Sequence, residues 1–274
     1  MDDYMKANQD WWNEAAQVHA QGDAYQLKAF REGLTKLHHL ERAEMGDVSG
    51  KKLLHLQCHF GLDTLSWARL GAQVTGVDYA EKAITIAQTL SQELQLDATF
   101  VCCDLYHLPD VLQAAGAFDI VYTSYGVIGW LPDLQPWGQI IAHYLKPGGL
   151  FYIAEGHPFM LIFDEKSPDF KIGYPYFSRA PIKDDSPGTY AEKEAMLEHT
   201  TTYGWNHTLS ELFNSLLSAG LTIDFFHEHT FCAWEPLPDM ERGEDGFYRF
   251  KDLRKREMLP LMFSLKATKK GTLP

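Results

Sequence analysis

From Leu53 onward, hydrophobic positions alternate between two patterns. Short apolar runs, "LLHLQC", "QVTGVD", "ATFVCCD", "FDIVYTSY" and "LFYIAEG", are separated by segments with apolar residues at helical spacing, "GLDTLSWARLG", "AEKAITIAQTLSQELQL" and "LQPWGQIIAHYL". Strands alternating with helices in this way predict a parallel sheet with right-handed crossovers. A Pro-containing loop is expected after "ATFVCCD", and a turn at "KPGG". Ahead of this region, up to about Met45, the chain is rich in helix formers and carries Trp11, Trp12, Tyr25, Phe30 and Leu34 at broadly helical spacing. It predicts a helical cap over residues 1–49. After "EGHP" the regularity stops, and residues 157–204 read as an inserted lid rich in aromatics, prolines and charges.

The pattern resumes with "TLSELFNSLLSAG", where Thr208 and Glu211 have the spacing of a capping box and Gly220 closes the helix. "LTIDFFHEHTF" and "PLMFSLKAT" follow as strands separated by a polar insertion and no helix, so they should pair antiparallel. The expected fold is α/β, a doubly wound, seven-stranded, mostly parallel sheet with a C-terminal antiparallel hairpin. Residues 50–156 and 205–274 form its core, with the N-terminal cap and inserted lid added.

Composition narrows the function. The 274 residues are 45% hydrophobic and 13% aromatic, enough for a large core. The 24 Lys+Arg against 37 Asp+Glu give a net charge of −13, which would repel a phosphate backbone and disfavours nucleic acid as the main substrate. "MDDYMKANQD" has no basic-then-apolar signal pattern, and the apolar runs are too short to span a membrane, so a cytoplasmic location is expected. Cys58, Cys102, Cys103 and Cys232 lack C-x-x-C spacing, so buried free thiols are expected rather than disulfides or structural zinc.

In an open α/β sheet, ligands bind outside the carboxyl ends of the strands. The first strand leads into "QCHFG" and the second ends at Asp78, where a carboxylate can accept hydrogens from both hydroxyls of a ribose. The third ends at Asp104, where a carboxylate can accept from an exocyclic amine such as that of adenine. The combination of a strand-turn-Gly, "GVD", "CDLYHLP", "FDIVYTSYGVIGWL" and "LKPGG" resembles the class I S-adenosylmethionine-dependent methyltransferases, particularly the group acting on small molecules. The resemblance covers about residues 50–156, and the later helix and strands extend it.

That resemblance implies S-adenosyl-L-methionine as cofactor, S-adenosyl-L-homocysteine as product and a small-molecule methyl acceptor as partner. It puts Asp78 on the ribose with Tyr79 beside it, Asp104 and Leu105 at the adenine, and Gly61 at the turn facing the methionine moiety. Tyr122, Thr123, Ser124 and Tyr125 would line the floor near the sulfonium. The family opens this turn with an acidic residue and three alternating glycines. Here His55, Gln57 and His59 take the acidic and first two glycine positions, and only Gly61 matches the third. Gln57 and His59 should narrow the space beside the methionine tail, or offer hydrogen bonds to its carboxylate or amine.

Methyl transfer from a sulfonium relies on alignment, with a base needed only if the acceptor loses a proton. Candidate catalytic residues are His157, His207 and Tyr125, each histidine being equally readable as a structural one. Tyr125, Trp130 and Trp205 are candidates for an aromatic wall. Glu155 can orient a substrate amine or simply end its strand in solvent. His227, His229 and Cys232 lack a recognisable fourth ligand, so no metal is expected. Two other readings remain at this level: a non-catalytic module that holds S-adenosylmethionine or S-adenosylhomocysteine, and a nicotinamide-dependent dehydrogenase, weakened by the lack of G-x-G-x-x-G.

Overall fold

The computed structural model describes residues 2–167 and 169–271. Three helices come first, α1 (Asp3–Gln21), α2 (Leu27–Arg31) and α3 (His39–Met45). The alternating region follows as β1 (Lys52–Leu56), α4 (Leu62–Arg69), β2 (Gln73–Asp78), α5 (Glu81–Glu93), β3 (Ala98–Cys102), α6 (Leu108–Val111), β4 (Phe118–Ser124), α7 (Leu134–Tyr144) and β5 (Leu145–Gly156). A small ribbon of β6 (Ile182–Asp184) and β7 (Thr202–Gly204) precedes α8 (Leu209–Ser218). The chain continues as β8 (Leu221–His229), the β9 (Met240–Arg242) and β10 (Tyr248–Phe250) hairpin, and β11 (Met262–Lys269).

Seven strands form one sheet in the order β3-β2-β1-β4-β5-β11-β8. The first five run parallel to one another, and β11 runs antiparallel between β5 and β8. The absence of a crossover helix between β8 and β11 makes this reversal geometrically simple. Only β11 therefore opposes the sheet direction. The central strands β1, β4 and β5 run apolar on both faces because both faces are covered. Leu54, Leu56, Val121 and Phe151 pack towards Trp137, Ile141 and Leu212, while Leu53, Ile120, Tyr122 and Tyr152 pack towards Trp67 and Met45 on the other side.

Thr208 and Glu211 form the capping box of α8, Thr208 Oγ1 accepting from Glu211 N and Glu211 Oε2 from Thr208 N. That helix lies close to α7, where a Cβ on Gly138 would stand 2.4 Å from the Ser215 carbonyl oxygen. Glycine at 138 permits this approach.

Several sequence expectations are corrected. The loop after β3 coils through Leu105–His107 into α6, because Asp104 caps the turn and Pro109 sits where a helix start tolerates it. The strand β5 takes in "KPGG", with Gly148 at φ 78° and a register shift between Phe118 and Ile120. Tyr25 lies in the turn between α1 and α2, and Leu34 lies beyond α2 and is exposed. Cys58 and Cys232 are buried free thiols, but Cys102 is exposed and Cys103 half-buried. Among the described residues, no helix is long and apolar enough to cross a membrane.

The segment 182–204 is bound along α1. Asn8, fully buried, donates to the Tyr203 carbonyl at 2.8 Å and accepts from Tyr203 N at 2.7 Å. Glu14 accepts from the backbone of Glu198 and His199 and pairs with the His199 ring. On its other side, α1 reaches the core through Gln9, which donates to the Tyr79 carbonyl, and Asn13, which accepts from Lys82 N.

Candidate active site

The chain moves outward from β1 to β2 and β3, then returns across β1 to β4, so the crevice at the carboxyl ends of β1 and β4 is the switch point of the sheet. The turn from β1 into α4 forms one wall. Its alternate residues Gln57, His59 and Gly61 have φ of 56°, 51° and 79°, all left-handed. At Gly61 no side chain fits, since a Cβ would stand 2.7 Å from the Phe100 ring. At Gln57 and His59 an L-residue in this region costs about 1–2 kcal/mol each. The backbone thus keeps the form three glycines would favour, although two of them are replaced.

Hydrogen bonds offset that cost. His59 N donates to Asp78 Oδ2 at 2.8 Å, and Gln57 Nε2 donates to the Val127 carbonyl at 2.9 Å. Asp78 Oδ1 accepts from Ala80 N at 2.9 Å. Each Asp78 oxygen keeps a lone pair beyond these bonds. Burial pushes its carboxyl up to about 6. Beneath the turn, His55 Nδ1 is 2.8 Å from Thr64 Oγ1, and burial holds its pKa near 3, so a neutral imidazole stands where the family pattern has an acid.

Buried polar atoms without a protein partner gather around this turn: Gln57 Oε1, His59 Nδ1, His19 Nε2 and the Tyr79 hydroxyl. A buried unsatisfied group costs about 1–3 kcal/mol, so such a collection at the switch-point crevice fits a polar ligand that completes it. The residues present fit the amino-acid and ribose parts of the expected cofactor on this ground. Further along, Asp104 Oδ1 accepts from Tyr106 N at 3.0 Å and Leu105 is buried beside it. Ser124 Oγ donates to Asp63 Oδ2 at 3.1 Å.

The remaining candidates separate. Tyr125, at φ 48°, donates its hydroxyl to Glu41 Oε2 of α3 at 2.7 Å. Trp130 stacks on Trp11 of α1 at 5.7 Å, and Trp205, whose N donates to the Gly129 carbonyl, is near Tyr4 of α1 at 6.4 Å, so Trp130 and Trp205 lie together against α1 while Tyr125 is held by α3. Tyr122 packs into the core against Trp67 and His55. Its alternation along β4 sends it to the face opposite Thr123, whose hydroxyl donates to the Leu56 carbonyl.

His157 Nδ1 accepts from Phe159 N, and its Nε2 is 3.2 Å from Glu228 Oε1. His207 Nε2 donates to the Leu131 carbonyl at 2.7 Å. Both histidines are buried, and burial lowers the pKa of each. His227 and His229 are engaged by Glu44 and Ser264.

Glu155 does not end its strand in solvent. It is 2% exposed and accepts four backbone N–H groups, Gly126 (2.5 Å) and Gly156 (2.7 Å) at Oε1, Val127 (2.8 Å) and Ile128 (3.2 Å) at Oε2. It therefore shapes the loop after β4, which also receives Gln57. Sequence reasoning overlooked Asp63, Glu41 and His19. Asp63 stands within "GLDTL" next to the turn and was open to notice, whereas Glu41 and His19 lie in helices with no local sign of their distant partners.

Glu41 is fully buried, and burial raises its pKa to about 8; burial also raises Asp63 to about 6. A carboxyl with a raised folded pKa adds stability at low pH that is lost as pH climbs through the folded value. His19 and His38 are lowered to about 4 by burial, so their contribution is lost as pH falls below the usual imidazole range. Between about pH 4.5 and 6 these opposing slopes offset each other, and above about pH 6.5 the Glu41 slope remains, so the thermal midpoint should change little on the acid side and decline from about pH 6.5 to 9. Melting scans from pH 5 to 9 check this, and Glu41→Gln should flatten the decline above about pH 6.5.

Residues 54–153 match the family model for a methyltransferase domain. A ubiquinone biosynthesis O-methyltransferase of Coxiella burnetii (strain Dugway 5J108-111) is 30% identical over 148 residues, covering 53% of this chain and 56% of that protein. The chain spans about half the length of the curated relatives it matches. A putative S-adenosylmethionine-dependent methyltransferase of Listeria monocytogenes superposes with TM-score 0.58 at 18% identity, covering 85% of this chain and 97% of that one. A geranyl diphosphate C-methyltransferase of Streptomyces coelicolor A3(2), solved with Mg2+, geranyl diphosphate and S-adenosyl-L-homocysteine, gives 0.54 at 13% identity, with 84% and 77% covered. The fold is shared with both.

Proposed function

We propose that this chain, whose residues 54–153 match a methyltransferase domain, transfers a methyl group from S-adenosyl-L-methionine to a small-molecule acceptor. The observation that carries the reading is the left-handed turn at Gln57, His59 and Gly61, tied by His59 N to Asp78, with unpartnered polar atoms around it. When bound, the cofactor supplies an electrophilic methyl group on a sulfonium. The chain supplies position: Asp78 takes the ribose hydroxyls, Asp104 and Leu105 the adenine, and Ser124 the end of the floor. The strand end and α1 exclude water, and alignment of this kind accounts for much of the barrier lowering in a displacement.

For an acceptor that must lose a proton, the Tyr125–Glu41 hydrogen bond is one pair suited to take it, beside His157, whose Nδ1 accepts from Phe159 N, and His207, whose Nε2 donates to the Leu131 carbonyl. The matched relatives are named O-methyltransferases, which makes hydroxylated metabolites the first acceptors to screen. Two measurements test the reading. Calorimetry should give a binding heat with S-adenosylhomocysteine, and methyl-labelled cofactor should pass its label to a small-molecule fraction of a metabolite pool. Binding without any label transfer would favour a non-catalytic cofactor-holding module. No heat at millimolar S-adenosylhomocysteine, together with thermal stabilisation by NAD, would reverse the assignment.

A further inference from the structure

The segment between β6 and β7 is bonded to itself and tied to α1 by contacts of two kinds. Residues 187–197 close on themselves: Thr189 N donates to the Glu192 carbonyl at 3.1 Å, Glu192 N to Thr189 Oγ1 at 2.9 Å, and Leu197 N to the Pro187 carbonyl at 3.4 Å. A loop packed on its own groups in this way moves as one body. At its base, Tyr203 is fixed by two hydrogen bonds to the fully buried Asn8. The outer contacts lie at the surface. Tyr190 meets Tyr25 hydroxyl to hydroxyl, and Glu14 accepts from Glu198 N and His199 N and pairs with the His199 ring. Tyr190 is 59% exposed and the His199 side chain 55% exposed, so water competes for these outer contacts while the base stays shielded.

Tyr190 seats beside the turn from β1 into α4. Its ring meets His19 at 5.0 Å and Trp12 at 6.3 Å. Trp12, His19 and Tyr25 all pack on His59, at 5.1, 5.4 and 5.5 Å, and His59 N is the group bound to Asp78. Three rings of α1 and the turn after it thus surround His59, and Tyr190 closes them from outside. Glu192 seals the same edge, its carboxylate lying against Gly22 at the end of α1, where a side chain would collide with it. The Tyr125–Glu41 pair is held by α3 instead.

We propose that residues 187–199 are a releasable cover on the cofactor side of the site, latched by Tyr190 and by the Glu14 contacts, and that the cofactor enters and its product leaves when this loop swings from α1 about Tyr203. Tyr190 is a positioning residue that acts through Tyr25, His19 and Trp12. The inference rests on the cofactor reading above and assigns this part of the inserted segment to cofactor exchange, not to acceptor choice.

A cover closed in both the free and the loaded chain slows entry and exit by the same factor, the fraction of time it is open. Weakening its latch raises both rate constants together, whereas a side chain that only grips bound ligand changes exit alone. Stopped-flow binding of S-adenosylhomocysteine to the full chain, read by intrinsic tryptophan fluorescence, separates the two. Tyr190→Ala and Glu14→Ala should each raise the association and dissociation rate constants by about ten-fold, and Tyr190→Phe, which keeps the ring, by about three-fold, with Kd within about three-fold of wild type throughout. In the wild-type chain, amide exchange should be faster at Glu198 and His199, bonded to Glu14, than at Tyr203, bonded to Asn8. A rise in dissociation alone, unchanged rate constants in both alanine variants, or equal exchange at the three amides would overturn this inference and leave the cofactor reading intact. Failure of the wild-type chain to bind S-adenosylhomocysteine would overturn both.

Discussion

Asp78→Ala is expected to weaken S-adenosylhomocysteine binding by about 100-fold, because two charge-assisted hydrogen bonds to a ribose are lost at roughly 1.5–3 kcal/mol each, less what water recovers. The same carboxylate organises the turn. Its two oxygens hold His59 N and Ala80 N, so alanine also frees the backbone on which the left-handed His59 depends. Calorimetry should therefore show a loss for 5′-methylthioadenosine, a nucleoside thioether lacking the amino-acid end, as well. A melting curve of the variant separates this from unfolding. Unchanged affinity would refute the ribose assignment.

The charge state of Asp78 gives that prediction a pH arm. Burial raises its folded pKa to about 6, so the ionised form that accepts two hydroxyls becomes scarce in more acid solution. Ribose binding favours the carboxylate, so cofactor affinity should fall as pH drops below about 6, and binding there should release a proton. Calorimetry in buffers of different ionisation heat measures that release directly.

Glu155→Ala is the substitution expected to cost most in stability, about 4 kcal/mol, corresponding to a thermal midpoint lower by about 10 °C. Four backbone N–H groups converge on this buried side chain, and alanine leaves all of them without a partner. Glutamine retains one acceptor oxygen and turns an amide N–H2 towards two of the donors, so Glu155→Gln should fall between wild type and alanine. The loop that Glu155 shapes carries Val127, whose carbonyl fixes Gln57, so loss of stability should be accompanied by weaker S-adenosylhomocysteine binding. Equal melting temperatures for wild type and Glu155→Ala would show that water replaces the carboxylate at these donors.

Much of this molecule is readable in its sequence. The spacing of apolar runs gave the alternation of strands and helices, because a strand buried on both faces must be apolar throughout and a crossover helix must repeat on its own period. Thr208 and Glu211 announced a helix start through short-range bonding. Asp78 and Asp104 were visible because they stand at strand ends, where the fold puts ligands. Reversal of β11 also followed from chain connectivity.

The remainder depended on residues far apart in the chain. Nothing near Glu155 in sequence reveals the four amides it receives, three of them from the loop after β4. Nothing near Glu41 points to Tyr125, nor near His19 to His59, because helical spacing records only that a position is buried and not what lies opposite it. Trp130 and Tyr125 both looked suited to one aromatic wall, yet the short loop between them turns one towards α1 and the other towards α3.

By itself, the sequence determined the sheet, its crossovers and the strand ends at which ligand chemistry belongs, since these follow from local periodicity and chain connectivity. Only the tertiary structure decided that Gln57 and His59 keep a glycine-like backbone while leaving polar atoms unpaired, since that outcome depends on hydrogen bonds to Asp78, Val127 and His19, brought together by folding.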